Sequence, residues 1–202
     1  MRRITLIIAT SIAASFIISC SNPKPEVTSE KTSEIQIIEP NILAQIETLN
    51  DSVNHSWAAL IELDIQKFAN IKRLIEEISY CKKYNEKGVE KALKLNKEVI
   101  ALMYTQENLS DSIITLYDTK TDEVIRVVRN LKTGTEEIVQ HPLADQLENE
   151  IMDADALLVN YRNKYDQIAN EYNSFLDKNK EAIVSKSPEK TYARKRLFSV
   201  AL

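Results

Sequence analysis

The sequence is poor in glycine, cysteine and histidine, with two residues of each. β-Sandwiches and α/β folds need glycines at their turns, so this shortage, together with 28% charged residues, favours long helices. His55 and His141 have no partner at metal-ligand spacing, and the sequence holds no HExxH, EF-hand, P-loop, GxSxG or Cys–His signature. We therefore predict no catalytic residue, no metal site, no cofactor and no enzymatic activity.

The first residues have the pattern of a secretory signal. Arg2 and Arg3 precede an uncharged apolar run, Ile4 to Ile18, which is too short for a transmembrane helix of about 20 apolar residues. The run ends in the letters IISC, residues 17–20, which resemble the lipobox of bacterial lipoproteins. We predict a lipoprotein signal peptide over residues 1–19. An ordinary signal peptide with a chance cysteine, or an uncleaved anchor, is the alternative.

The lipobox resemblance implies that Cys20 becomes the first residue of the mature chain and carries a thioether-linked diacylglycerol. Two or three acyl chains hold a protein stably on a membrane, whereas one chain binds only marginally. We therefore expect a protein of the bacterial cell envelope, anchored to the lipid bilayer through acylated Cys20. Ser21 is not the Asp that keeps some lipoproteins in the inner membrane, which favours the outer membrane.

Charge and cysteine content limit the partners further. Loss of the signal peptide with Arg2 and Arg3 takes the formal charge from −4 to −6, and this charge on a secreted chain argues against nucleic-acid binding. Once Cys20 is acylated, Cys81 is the one remaining thiol, so no intrachain disulfide can form.

Composition changes again after the lipobox. Residues 21–34 hold two of the five prolines and few apolar groups, a composition that cannot bury enough surface to fold. We predict a lipidated N-terminus and disordered tether over residues 20–39 and a helical bundle domain over residues 40–182.

The predicted basic C-terminal tail, residues 183–202, allows two interpretations. Its lysines and arginines can meet anionic lipid. Alternatively, the tail is solvated and its Leu197 and Phe198 pack onto the end of the bundle.

Apolar residues that recur every three or four positions predict the helices. The first begins after Asn41, which can cap it, and its stripe extends to Ile78. Asn85 and Gly88 signal the turn before a second helical stretch. Residues 112–139 favour a further helix, but their β-branched residues also fit hairpins, so a small β insertion is the alternative there.

The last helix begins near Pro142 and has the most regular pattern of the chain. Spacings of three and four alternate through Ile151, Ala154, Leu158, Tyr161, Tyr165, Ile168, Tyr172 and Phe175. Such an a/d seam needs close packing against a nearly aligned helix, and the isoleucine-rich first helix is the expected partner. The predicted fold class is all-α, an antiparallel bundle of about four long helices with coiled-coil-like packing.

Aromatic residues dominate the predicted seam. Its members are Trp57, Tyr161, Tyr165, Tyr172 and Phe175. Their rings are expected in the helix–helix joint, with the tyrosine hydroxyls at its edge. Asp166 and Asn173 each follow a seam tyrosine, one heptad apart, and are expected to flank the joint and hydrogen-bond across it.

The chain resembles the LemA family, and the last helix carries most of the likeness. The family pattern of Arg, Tyr-Asn and a second Tyr-Asn one heptad later corresponds here to Arg162, Tyr165-Asp166 and Tyr172-Asn173, with Ala169 between them. In the first helix, Trp57, Leu74-Ile75 and Ile78 stand where the family has its Trp and Leu-Val pair, and the preceding Pro-Asn of the family is Lys72-Arg73. The resemblance implies a membrane-anchored, extracytoplasmic helical bundle, and it implies no known activity.

Two functions are compatible with these features. The first is a non-enzymatic envelope lipoprotein that acts through protein–protein contacts, as a scaffold or adaptor for other envelope proteins. The second is a small-ligand-binding lipoprotein with an inter-helix pocket lined by the tyrosines, although tight seam packing leaves little room for a ligand.

Overall fold

The computed structural model describes residues 41–199 and shows four α-helices and one short 3₁₀-helix within them. The helices are α1 (Ile42–Ser79), α2 (Glu86–Ala101), α3 (Asp111–Thr133) and α4 (Pro142–Lys186), and the 3₁₀-helix is Glu136–Gln140. No strand forms between Asn41 and Ser199, so the predicted all-α helical bundle is confirmed and the alternative β insertion is not found. The predicted signal peptide, Cys20 and the tether lie outside the described residues.

Local sequence explains where the helices begin. The side chain of Asn41 accepts a hydrogen bond from the Ala44 N–H at 3.1 Å and caps α1, as the sequence predicts. Asn85 caps α2 in the same way, through the Gly88 N–H at 3.0 Å. A Cβ on Gly88 would lie 2.5 Å from the side chain of Leu131, so glycine at this position lets α2 start directly against α3.

The two long helices run antiparallel. Trp57 of α1 packs on Tyr165 of α4 with ring centroids 5.1 Å apart. Thirteen residues further along α1, Asn70 donates to Glu150 at 2.9 Å, so residue numbers rise on α1 as they fall on α4. α1 and α4 contain 38 and 45 residues and are therefore about 57 Å and 68 Å long at 1.5 Å per residue.

α2 and α3 are too short to cover this pair completely. They contain 16 and 23 residues, or about 24 Å and 35 Å. The loop between them places the Tyr104 ring against the Trp57 ring, near the middle of α1, with 5.9 Å between the ring centroids. We call α2, α3 and the parts of α1 and α4 that they cover the four-helix region. Residues 42–56 of α1 and 163–186 of α4 form the two-helix region.

Residues 187–199, which we call the C-terminal segment, cover the two-helix region. The segment turns back at the end of α4, where the Lys190 N–H donates to the Ser187 carbonyl at 3.2 Å. It then follows the α1–α4 pair back to the α2–α3 loop, where Arg196 donates to the Leu109 carbonyl at 3.1 Å. Leu197 and Phe198 pack against the core. Within residues 41–199, no helix has the length and apolar character needed to cross a membrane.

Candidate polypeptide-binding groove

One face of α4 carries the side chains that hold the C-terminal segment. The pairs Tyr165-Asp166 and Tyr172-Asn173 are one heptad apart, which is two helical turns, so equivalent side chains point the same way. Arg162 lies one turn before the first pair and shares this face. Together with Trp57 of α1 and Tyr104 of the α2–α3 loop, these residues form what we call the groove.

Asn173 binds the main chain of Lys195 at both of its polar groups. Its Nδ2 donates to the Lys195 carbonyl at 2.9 Å, and its Oδ1 accepts from the Lys195 N–H at 2.7 Å. Asn173 therefore pairs with the segment in the way that a neighbouring β-strand residue would. Because only main-chain atoms take part, this contact recognises an extended backbone rather than a particular side chain.

Asp166 and Tyr165 continue the same main-chain recognition. The two carboxylate oxygens of Asp166 accept from the N–H groups of Phe198 at 2.8 Å and Ser199 at 2.7 Å. The Tyr165 hydroxyl donates to the Arg196 carbonyl at 3.0 Å. Burial raises the pKa of Tyr165 above its ordinary value, so the hydroxyl keeps its proton and remains a donor.

Phe198 is the apolar anchor of the segment. Its ring stacks on Trp57 with centroids 5.8 Å apart and meets the rings of Tyr104 and Tyr165 edge-on at 5.1 Å and 5.6 Å. The guanidinium of Arg162 lies 5.1 Å from the centroid of the Phe198 ring, within the range of a cation–π contact. Three aromatic rings and one cation therefore surround the ring of Phe198.

Contacts that do not involve Phe198 hold the Arg162 side chain in position. Asp118 of α3 accepts two hydrogen bonds from its guanidinium, at 2.6 Å and 2.8 Å, which is the bidentate geometry of a strong pair. The Tyr104 hydroxyl accepts a further bond from Arg162 at 3.1 Å. The four-helix region thus positions this part of the groove.

The other end of the segment has an electrostatic contact. The Glu47 carboxylate accepts from the Lys190 ammonium at 2.6 Å and from the Tyr192 hydroxyl at 2.5 Å. These hydrogen bonds, first that from Lys190, lower the pKa of Glu47. Arg194 pairs with Asp177 of α4. A basic segment therefore lies against acidic side chains of both long helices, beside an open cleft of about 620 Å³.

Burial differs sharply between the groove and the segment that covers it. Tyr165, Asp166 and Asn173 are only 0%, 7% and 2% exposed. None of residues 191–199 is buried to that degree, and five of the nine are exposed. The segment is therefore a surface element, and the buried polar atoms of α4 depend on it for their hydrogen-bond partners.

The structure distributes the five predicted seam residues unevenly. Tyr165 and Tyr172 are buried under the C-terminal segment, and half-buried Trp57 contacts both Tyr165 and Phe198. Tyr161 is half-buried and lines a different cleft, which it shares with His55. Phe175 is half-buried at the edge of the core and makes none of the groove contacts described above.

Two features of the groove differ from the sequence-based expectation. Asp166 and Asn173 bind the C-terminal segment and not the facing helix. Tyr104 and Asp118, which fix Arg162, have no signal in the sequence that connects them to α4. The signals in the sequence are the acid or amide directly after Tyr165 and Tyr172, together with the apolar pair Leu197-Phe198 inside a basic tail.

A second polar cluster lies inside the four-helix region. Lys67 and Asp64 are almost fully buried and form an ion pair, with 2.9 Å between Lys67 Nζ and Asp64 Oδ1 but without hydrogen-bond geometry. Lys67 also donates a hydrogen bond to Asp155 at 3.1 Å. A buried pair of this kind gives weak support for stability, because desolvation of both charges opposes their attraction. Among residues 41–199, no three His, Cys, Asp or Glu side chains are placed to hold a metal ion.

Comparison of the chain with protein-family models, with curated proteins and with solved structures finds no match.

Proposed function

We propose that the chain is a membrane-tethered lipoprotein of the bacterial cell envelope that acts through protein–protein contacts, as a scaffold or adaptor without enzymatic activity. The observation that carries this proposal is the groove, in which the side chains of Tyr165, Asp166 and Asn173 make five hydrogen bonds with the main chain of a polypeptide segment. Side chains arranged to bind a polypeptide backbone are suited to protein partners.

The membrane part of the proposal rests on the sequence. The letters IISC, ending at Cys20, and the proline-containing stretch after them suit a lipid anchor followed by a flexible spacer. The LemA-like residues of α4 support the same extracytoplasmic placement, and we propose a divergent relation to that family. The LemA-like pairs Tyr165-Asp166 and Tyr172-Asn173 of this chain include the side chains that bind the C-terminal segment.

Substitution Cys20→Ser tests the lipid anchor. We expect the variant to accumulate as an unacylated precursor that no longer fractionates with membranes. Mass spectrometry of the unaltered protein should show acyl chains on Cys20. A membrane-bound variant, together with an unaltered protein that lacks acyl chains, would refute the lipoprotein assignment.

Small-ligand binding has less support from the geometry. The rings of Tyr165 and Tyr172, which would line an inter-helix pocket, are 0% and 1% exposed because helices and the C-terminal segment pack on them. Protein contacts need no such pocket, since they use the surface of the groove and the helix faces.

Site-specific photocrosslinking in cells tests the role in protein contacts. A photoreactive amino acid at exposed Glu107 lies beside the cleft along the segment, whereas one at exposed Lys164 lies in the cleft that contains Tyr161. We expect one reproducible adduct with an envelope protein at Glu107 and a different or no adduct at Lys164. Copurification of a small molecule and absence of protein adducts at both positions would favour the ligand-binding alternative.

A further inference from the structure

We propose that the groove is a receptor for an extended, basic polypeptide segment with one aromatic side chain, supplied by another protein, and that the C-terminal segment is a resident competitor for it. This inference rests on the proposed function, because it names the class of partner and the way in which its access is controlled. Three observations support it: the chemistry of recognition, the rigidity of the groove and the exposure of the resident segment.

The hydrogen bonds of the groove define the backbone of the ligand. Asn173 binds both the N–H and the carbonyl of one ligand residue, the position that Lys195 occupies. The groove also binds the carbonyl of the next ligand residue and the N–H groups of the residues three and four positions after the first. These groups are common to nearly all residues, so a segment that is extended at Lys195 and bends at its last two positions can supply them. Peptide binding through main-chain groups with side-chain pockets for specificity is a recurrent mode of recognition.

The side-chain contacts define the sequence of the ligand. The position three residues after the one on Asn173 must be aromatic, because it fills the space between Trp57, Tyr104 and Tyr165. The positions before it should be basic, because Glu47 and Asp177 pair with Lys190 and Arg194 there. The inferred ligand therefore has a basic stretch followed by an aromatic residue.

The groove is built independently of its occupant. Its binding side chains lie on α1, on α4 and in the α2–α3 loop, and Arg162 is held by Asp118 and Tyr104. Side chains placed on rigid helices lose little freedom when a ligand binds, which favours affinity. Removal of the C-terminal segment would leave Asp166 and Asn173 unpaired and ready for another backbone.

The resident segment is placed so that it can leave. It joins α4 through the short turn at Ser187–Lys190, and none of residues 191–199 is fully buried. Its release uncovers Trp57 and Tyr104 at the edge of the four-helix region but leaves the aliphatic core there in place, since the helices themselves form that core. Segments of this type, on the surface and with few buried contacts, have low local stability.

A peptide-binding experiment with the full-length chain tests the inference. The probe is a fluorescent peptide with the sequence of residues 190–199, KTYARKRLFS. Its fluorescence anisotropy is measured as the full-length chain, purified in detergent, is added. We expect the variant Phe198→Ala to bind this probe about tenfold more tightly than the unaltered chain, because a competing occupant reduces the fraction of open grooves. Probes with Ala in place of Phe, or with Glu in place of every Lys and Arg, should bind at least about tenfold more weakly.

Matched variants locate the bound probe. In the Phe198→Ala background, Asn173→Ala should weaken binding about tenfold, since two hydrogen bonds to the probe are lost. Asn163→Ala, on the same helix but exposed, should leave binding unchanged. Binding that survives Asn173→Ala, or that is equal in the unaltered chain and Phe198→Ala, would overturn the proposal.

A second variant guards against misfolding of the first. Lys195→Pro removes the N–H that Asn173 binds and leaves the aromatic cluster in place. Far-UV circular dichroism should show unchanged helix content in both variants. If neither folded variant binds the probe, the groove holds only its own segment and the proposal is wrong. A concentration-dependent dimer of the unaltered chain that exchanges C-terminal segments would also overturn it, because the partner would then be a second copy.

The two proposals can fail separately. Loss of probe binding with retained crosslinks at Glu107 or Lys164 would refute the peptide receptor and leave the role in protein contacts. Probe binding without any crosslinked partner in cells would refute the proposed cellular role, while the groove would still recognise the peptide.

Discussion

The four-helix region and the two-helix region cover the same pair of helices by different means. In the four-helix region, aliphatic side chains such as Leu74, Val99, Val128 and Leu147 are at most 1% exposed and exclude water together. In the two-helix region, the cover is a single extended segment attached through main-chain hydrogen bonds to Asp166 and Asn173. Both arrangements bury the inner faces of α1 and α4.

The physical difference between these covers has a functional consequence. Apolar burial is non-directional, and its favourable free energy grows with the buried area. The four helices therefore form a stable core, but this core has no directional contacts that could select one polypeptide over another. Hydrogen bonds to a backbone are directional and contribute only about 0.5–1.5 kcal/mol each, so they fix a register without making the segment permanent. The region with the weaker cover is the one suited to exchange its occupant.

Truncation of a buried phenylalanine in the four-helix region should have the largest effect. Phe68 is 1% exposed and packs edge-on against Tyr117. We expect Phe68→Ala to reduce the free energy of unfolding by about 3–5 kcal/mol, because it removes transfer energy and leaves a cavity. Urea denaturation followed by circular dichroism measures this loss. Ile65→Ala, on the same helix but 50% exposed, serves as the control and should change stability by less than about 0.5 kcal/mol.

Truncation of the phenylalanine in the C-terminal segment should have a smaller and local effect. Phe198→Ala removes the aromatic anchor while Phe68 and the aliphatic core stay intact. We expect a loss of about 1–2 kcal/mol, less than for a fully buried phenylalanine, since the ring of Phe198 is only partly buried. Amide hydrogen exchange should show lost protection at Lys195, Phe198 and Ser199, the donors to Asn173 and Asp166.

The same measurement can contradict the comparison of the two regions. If Phe198→Ala also lowers protection throughout α2 and α3, then the segment is part of one cooperative core. If Phe68→Ala opens only the segment, the four-helix region is not the stable part of the molecule.

The two regions also differ in what their sequence predicts. Helices follow from local signals, so Asn41, Asn85 and Pro142 mark boundaries that the structure has, and the stripe of α1 predicts most of its buried face. Gly88, after which the second helix is expected, lies within the first turn of α2. The C-terminal segment has no periodic pattern, because a chain that is bound through its backbone and one aromatic anchor needs no repeated apolar face. The sequence indicates a role for Asp166 beside Tyr165, but its partner Phe198 is 32 residues away, and no local rule connects them.

Acid should weaken the contact at the far end of the segment, and this is the smallest effect that we predict. The pKa of Glu47 is lowered from its ordinary value of 4.5 by hydrogen bonds from Lys190 and Tyr192. A carboxylate whose pKa is lower in the folded state stabilises that state above its unfolded pKa, and the contribution is lost as the pH falls through the folded pKa. Amide protection at residues 190–195, corrected for intrinsic exchange, should therefore be lower at about pH 4 than at about pH 6.

Glu148 in the four-helix region also has a lowered pKa, through its hydrogen bond with Lys132, so acid alone does not isolate the contribution of Glu47. Glu47→Gln supplies the control: protection should be reduced at both pH values and should change less between them than in the unaltered chain. The remaining change comes from carboxylates such as Glu189, whose pKa is lowered by its hydrogen bond with Ser187. An equal pH dependence in this variant and in the unaltered chain would show that Glu47 does not hold the segment.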